Sequence, residues 1–423
     1  RGGHHGDRPT GRGLTDARNR PESTVSRQPP EEATPAPAAE EGPGRPVSDD
    51  LGLVMGGGGA RAAYQVGFLR YLASRWPELQ VPYIHGVSAG AINAAMLASH
   101  HGTFGQAVAE LAHLWGDLTV DHVFKVDPRS LALNSVRWLG QLGGGGLRGG
   151  RIRVRGLVDT EPLHRHLTET LHAVDGEITG IRYNLEHGSL RALAVSTTSY
   201  STGASVTWLE GRGIEPWQRP QRFTEVTRIT VDHIMASAAL PLIFPAIQLG
   251  SDWYGDGGIR LTAPLSPVLH LGARRIIAIS NRYARSRRET EETSIRGYPP
   301  PAQVAGVLLN AVFLDLLDND ALRLERLNRL LEALPEDQRH GLEPVKLLVL
   351  RPSVDLGRLS SQFEARLPRS IRFMTRGLGT RETKSPDVLS LILFQPDYLN
   401  ALMEIGEADA AEKADEIEAF LEG

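Results

Sequence analysis

Three short stretches of this chain combine residue types that could do chemistry together. Gly86-Val87-Ser88-Ala89-Gly90 fits the pattern G-x-S-x-G. It follows an apolar run at 81–85 and precedes a small-residue run at 89–99 spaced like a helix. A serine on a sharp strand-to-helix turn has its hydroxyl lifted off the sheet edge. Glycines such as Gly86 and Gly90 let that turn close and the helix cross near the strand. The helix start also offers unpaired N–H groups and a positive dipole end to a developing anion. The competing role for Ser88 is a plain helix N-cap, which is common for serine.

The second stretch is Gly56-Gly57-Gly58-Gly59-Ala60-Arg61, directly after the apolar run 51–55. Consecutive glycines let backbone N–H groups converge without side chains in the way, as an oxyanion hole or a phosphate cradle requires. A phosphate loop of the Walker type needs G-K-[ST] at a fixed spacing, which is absent. Gly57-x-Gly59-x-x-Ala62 comes near a dinucleotide fingerprint, but no acidic residue ends the next strand, which runs into His85-Gly86-Val87-Ser88. A tight turn with no ligand is the plainer alternative.

The third stretch is Asp256-Gly257-Gly258, after Trp253-Tyr254. An Asp before two glycines is often only a turn residue. As a base it would take the Ser88 proton directly, which requires a carboxylate oxygen within about 2.6–3.2 Å of the hydroxyl. A triad of the α/β-hydrolase order would instead need a histidine after the acid. His270 sits in an apolar segment and His340 in a charged one, and His85 points to local packing. A Ser–Asp dyad therefore fits better than a triad.

The surrounding pattern must position these residues. Strand, glycine turn, helix, strand, turn, helix over 51–99 is the alternation of an α/β sheet protein. Further strands are expected at 190–196, 204–209, 275–280 and 345–350, and a helix at 234–240 stopping at Pro241. Residues 104–175 read as mostly helical, interrupted by a glycine-rich loop at 143–150, and 282–297 read as a polar loop. A long helical stripe runs from Val304 through Leu308, Phe313, Leu317, Leu324 and Leu331 to Leu334, and an amphipathic helix covers 398–421. Both stripes are expected to face a core rather than a membrane.

Composition narrows the classes. The chain has 423 residues, 41% hydrophobic and 23% charged, as a globular protein carries. A formal charge of −4 gives no electrostatic case for nucleic acid or an anionic membrane. With no cysteine, disulfides and thiolate chemistry are excluded. No apolar run of about 18 residues suggests a transmembrane segment. Residues 1–49, rich in Pro, Gly, Arg and Glu, are expected to be a disordered tail, because they bury too little to offset their ordering entropy.

Taken in order, G-G-G-x-[KR] at 57–61, G-x-S-x-G at 86–90 and D-G-[GA] at 256–258 resemble the patatin-like phospholipase family. Blocks such as Asp159–Leu163, Ala236–Pro241, Arg351–Ser353 and Phe394–Tyr398 are similar to it as well, so the resemblance spans 51–423. A further Gly, common in the family, is replaced by Ala62. The resemblance implies a three-layer α/β/α domain over 50–423 with a central, mostly parallel sheet and a C-terminal helical region from about 298. It implies Ser88 as nucleophile, Asp256 as base and the N–H groups of Gly57, Gly58 and Gly59 as oxyanion hole. Arg61, Gly86, Gly90, Gly257 and Gly258 would be supporting residues. It also implies a lipid or acyl-ester substrate at a membrane or micelle interface, no metal and no cofactor. A cytoplasmic location, peripheral to membrane, is the matching expectation. The reading from another class is a catalytically silent lipid- or partner-binding protein on the same fold.

Overall fold

The computed structural model describes residues 49–125, 156–291, 301–313, 316–367 and 387–422. All of them lie in one of the two units into which the chain divides, 45–423. The tail expected over residues 1–49 (save Asp49) and the glycine-rich loop at 143–150 lie outside the described residues.

Ten described strands form one sheet: β1 (Leu51–Met55), β2 (Tyr83–Val87), β3 (Ala192–Ser199), β4 (Ser205–Gly211), β5 (Gln218–Arg219), β6 (Arg222–Val226), β7 (Ile247–Leu249), β8 (Asp252–Asp256), β9 (Arg275–Ile279) and β10 (Lys346–Leu350). Their order is β10-β9-β1-β2-β3-β4-β6-β5, with β8 also on β3 and β7 on β8. From β10 through β3 every pairing is parallel. The antiparallel part begins where β4 and β8 meet β3.

The side-chain period of two makes β1 a divider. Leu51, Leu53 and Met55 enter one apolar cluster with Tyr64, Phe68 and Leu69 of helix α1 (Ala63–Arg75) and Ala91, Ile92 and Ala95 of α2 (Ala89–Ser99). Val54 enters a second cluster with Ile276, Ala278, Val268, Leu317 and Leu324. Helices thus cover both faces of a mostly parallel sheet, a three-layer α/β/α architecture. With both faces covered, the parallel strands read as unbroken apolar runs.

Several boundaries differ from the sequence expectation. The strand expected at 81–85 runs instead from Tyr83 to Val87, because its ladder with β3 continues to Val87 opposite Ser196 and Pro82 lacks an N–H. The helix expected at 234–240 is Val231–Ser237, opened by Thr230, whose N–H and hydroxyl both meet His233 Nδ1. The hairpin β7–β8 and strands β5 and β6 were not evident from periodicity, being short and half exposed. In 104–175 the described helices are Phe104–Asp117, Val120–Val123 and Glu161–Thr170. The polar loop contains a helix at Arg287–Glu291. The last helix is two, Pro396–Glu412 and Ala414–Glu422, parted at Lys413.

The long stripe also needs correction. It belongs to two helices, Pro301–Phe313 and Leu316–Ala333. Leu317, Leu324 and Leu331 are buried as expected, whereas Val304, Val307 and Leu308 face solvent. Among the described residues the 301–313 helix rests on the short 387–392 helix, on the turn after β8 and on the start of the 316–333 helix.

Candidate active site

The register of β3 brings two distant residues together. β2 ends at Val87, opposite Ser196, and the next β3 residue, Thr197, pairs with Asp256 of β8. β4 holds the other edge of β3, with Val206 and Ser205 opposite Thr197 and Thr198. β8 therefore continues the edge that β2 vacates, which sets Asp256 beside the residue that follows Val87. Ser88 Oγ donates to Asp256 Oδ2 at 2.6 Å, across 168 positions of sequence.

Ser88 precedes α2 with φ 56° and ψ −130°, and its side chain makes no cap bond to the helix. Such backbone costs about 1–3 kcal/mol and persists only where its surroundings impose it. Here Ser237 imposes it: the Ser88 N–H donates to Ser237 Oγ at 2.9 Å, and that hydroxyl donates to the Ser196 carbonyl at 2.7 Å. Close packing completes the turn. A Cβ at Gly90 would strike the carbonyls of Met55 and Gly56, and one at Gly86 would strike the first turn of α2.

Asp256 is fully buried. Its Oδ1 accepts the Gly258 N–H at 2.9 Å, and its carbonyl accepts from Thr198 Oγ1 at 2.8 Å. Burial pushes the carboxyl up to about 7, against the lowering effect of the hydrogen bonds from Ser88 and Gly258. Gly257 packs where a side chain would meet the Ser196 carbonyl.

The glycine loop is held by its carbonyls. Gly56 O accepts from Gln65 Nε2 at 2.8 Å, Gly57 O from Asn281 Nδ2 at 2.9 Å and Gly58 O from the Arg61 N–H at 3.1 Å. In a trans peptide the C=O of one residue and the N–H of the next point in opposite directions. Pinning these three carbonyls therefore turns the N–H groups of Gly57, Gly58 and Gly59 the other way. Gly58 and Gly59 have φ of 152° and 54°, where a side chain is rarely tolerated.

Arg61 ties this loop to the C-terminal part of the chain. Its Nε donates to Ser390 Oγ at 2.7 Å and Nη2 to Asp387 Oδ1 at 2.7 Å, with the pair buried. The tie holds the 387–392 helix so that the Leu391 backbone lies against Gly59. Gly59 and Ser88 open together on a narrow apolar cavity with about 600 Å³ of atom-free space, part of it open to solvent. Ile92, Leu114, Trp115 and Phe244 line it, and Leu391, Ile392 and Phe394 form another wall.

No described histidine hydrogen-bonds Ser88 or Asp256, although His166 lines the same cavity as Ser88. His85 is buried between the Pro264 carbonyl and Ser196 Oγ, both at 3.0 Å, and burial lowers it to about 4, so it is neutral. His270 stacks on Trp217, and His340 is exposed. Among the described residues no group of histidines and carboxylates is placed to hold a metal ion.

Sequence reasoning gives no role to Ser237, Asn281 or the wall at 387–394, although Ser237 and Phe394 fall in the family-like blocks Ala236–Pro241 and Phe394–Tyr398. Asn281 has no local signal, since its use depends on the end of β9 lying beside β1.

The profile of the patatin-like phospholipase family matches residues 53–269, just over half of the chain. The chain belongs to the patatin-like phospholipase family. The match takes in the glycine loop, Ser88 and Asp256 and ends before β9. No curated protein matches it. Among solved structures, human GIVD cytosolic phospholipase A2 with a fluorophosphonate inhibitor and terbium chloride is similar at 15% identity and a TM-score of 0.41, over 88% of this chain and 59% of that one. VipD from Legionella pneumophila is similar at 13% identity and a TM-score of 0.31, over 84% of this chain and 67% of that one. The ExoU–SpcU complex of Pseudomonas aeruginosa is similar at 15% identity and a TM-score of 0.27, over 86% and 75%. The chain thus spans less than two thirds of the human phospholipase. The family match, not these likenesses, carries the assignment.

Proposed function

We propose that this patatin-like chain is a serine lipid acyl hydrolase of the phospholipase or esterase type, working through Ser88 and Asp256. The 2.6 Å hydrogen bond from the Ser88 hydroxyl to a buried carboxylate carries the reading. Ionised Asp256 takes the Ser88 proton as Oγ attacks the ester carbonyl carbon. The carbonyl electrons move to oxygen, and the N–H groups of Gly57, Gly58 and Gly59 hold the resulting anion. Collapse breaks the C–O bond, and the proton on Asp256 passes to the leaving alkoxide, which departs as an alcohol. Water then attacks the acyl-Ser88 ester, gives its proton to Asp256, and the fatty acid leaves as Ser88 is reprotonated. The apolar cavity beside Ser88 suits an acyl chain, and no histidine or cofactor enters any step. Residues 50–423 act as the hydrolase unit, with 1–49 as a tail outside the chemistry. No described helix is long and apolar enough to cross a membrane. The enzyme works in the cytoplasm from the water side of a membrane or micelle.

The test is a fluorophosphonate probe with Ser88→Ala beside it, the modified residue mapped by mass spectrometry. Labelling at Ser88 that vanishes in the variant is the expected result. Folded protein that stays unlabelled with lipid present would leave Ser88 a structural residue and favour the silent binding protein. A second outcome concerns pH. The base acts only when ionised, so kcat/KM on a soluble ester is expected to rise through a single limb near pH 7 and level off above it. A limb near pH 4 would mean a solvated carboxylate and a different base environment.

A further inference from the structure

The 301–313 helix is unusual for what it presents to water. Val304, Val307 and Leu308 are 47%, 57% and 61% exposed, and Ala311 is exposed as well. Spacing of three, four and seven puts them on one helical stripe. No charged residue occurs from 298 to 314. A soluble helix normally turns such a stripe inward and a charged one outward. This helix instead spends its buried side on close contact, with Gly306 against Asp387, and leaves an apolar stripe exposed among the described residues.

Its position gives the stripe a use. It rests on the turn directly after Asp256 and on the 387–392 helix, whose Leu391 and Ile392 line the cavity. The helix that carries the stripe therefore packs beside the site rather than on a remote part of the fold. A further exposed apolar side chain lies next to the cavity wall in sequence. Leu242, between the lining residues Leu240 and Phe244, is 66% exposed with φ 67°, a backbone that a leucine rarely adopts.

We propose that the Val304–Val307–Leu308 stripe is a docking surface for a lipid bilayer, seating the site against zwitterionic lipid by apolar insertion rather than by charge. This rests on the lipid-hydrolase reading and extends it by naming the face that meets the substrate's surface. The occupant follows from chemistry. The cavity beside the stripe is apolar and enters next to Ser88, so its substrate must leave an aggregate of like chains. With no charge along the helix and a formal charge of −4 overall, anionic headgroups offer the chain nothing that neutral ones do not. A short apolar face lying in the interface plane binds through buried area.

The experiment uses the full chain with Val304, Val307 and Leu308 all changed to Ser. Binding is read by co-sedimentation with phosphatidylcholine vesicles in a Ser88→Ala background, so that lipid stays intact. Turnover is read in the Ser88 background on vesicle phospholipid and on a soluble short-chain ester. The triple variant is expected to lose vesicle partitioning by about tenfold or more. Its vesicle turnover should fall in step while soluble-ester turnover is unchanged, which also shows that it is folded. Binding of the parent chain should survive 0.5 M salt, at a Debye length of only about 4 Å. Vesicle binding and hydrolysis by the variant at parental levels would overturn the proposal. So would binding confined to anionic vesicles and lost in salt, or a parent dimer that the substitutions dissolve with vesicle binding unaffected. If the parent turns over neither ester yet sediments with vesicles and the variant does not, the hydrolase reading fails and the docking surface stands.

Discussion

Asp256→Asn is expected to lower ester turnover by about 10²–10⁴-fold while leaving the melting temperature at pH 8 unchanged or raised. The kinetic half follows from removing the group that takes the Ser88 proton, since an amide cannot serve as base. The thermal half follows from burial. In the folded chain the Asp256 carboxyl holds its proton up to about pH 7, whereas in the unfolded chain it loses it near the usual carboxylate value of 3.8. A group with a raised folded pKa stabilises fully below its unfolded value, and that contribution is lost as pH rises through the folded value. Above pH 7 the ionised form is therefore a burden, and a neutral amide of the same shape relieves it. Oδ1 of the amide can still accept from the Gly258 N–H, and Ser88 can accept from the amide nitrogen. Paired measurements of kcat/KM and thermal melts at pH 5 and pH 8 check this. The variant should gain relative to the parent at pH 8 and gain less at pH 5. A variant that loses several degrees at pH 8 would mean that ionised Asp256 is a structural anchor rather than a strained functional group.

Arg61→Met is expected to cost about 3–5 kcal/mol of folding stability and to reduce turnover of long-chain esters. Arg61 and Asp387 have side chains only 4% and 10% exposed, and their contact is 2.7 Å. Removing one partner leaves the Asp387 carboxylate buried and uncompensated, which costs far more than the pair contributes. The damage should extend to the site, because the same guanidinium holds Ser390, and with it the 387–392 wall that meets Gly59. Denaturant midpoints on Arg61→Met, Asp387→Leu and the double variant separate the causes. The double variant should recover much of the loss, since replacing both charges by apolar groups is often near neutral. A double variant as unstable as the sum of the singles would show that the pair is not the reason Arg61 is buried.

Much of the architecture was legible because it is local. The runs at 51–55, 276–279 and 347–350 are apolar on both strand faces, as a doubly covered parallel sheet requires. The strand-to-helix junction at Ser88 and the glycine run at 56–59 were visible as composition. The family match at 53–269 covers these features as well. Less legible was the half-exposed part of the sheet beyond β3 and β4, where β5 to β8 carry short, mixed patterns that periodicity cannot separate from loop.

By itself the sequence determined which residue types sit at the chemical positions, that Ser88 would stand at a turn and that Arg61 would follow the glycines. Tertiary structure alone decided what each of them meets. Asp256 reaches Ser88 because β8 takes over the edge of β3 where β2 stops, and Arg61 reaches Ser390 across 329 positions. The apolar stripe at 304–308 shows the same division, since its period was plain but its exposure was not. The physical reason is common to all three. Side-chain order along a chain specifies the faces of a strand or helix, whereas strand register and helix docking, set by non-local packing, specify what lies against them.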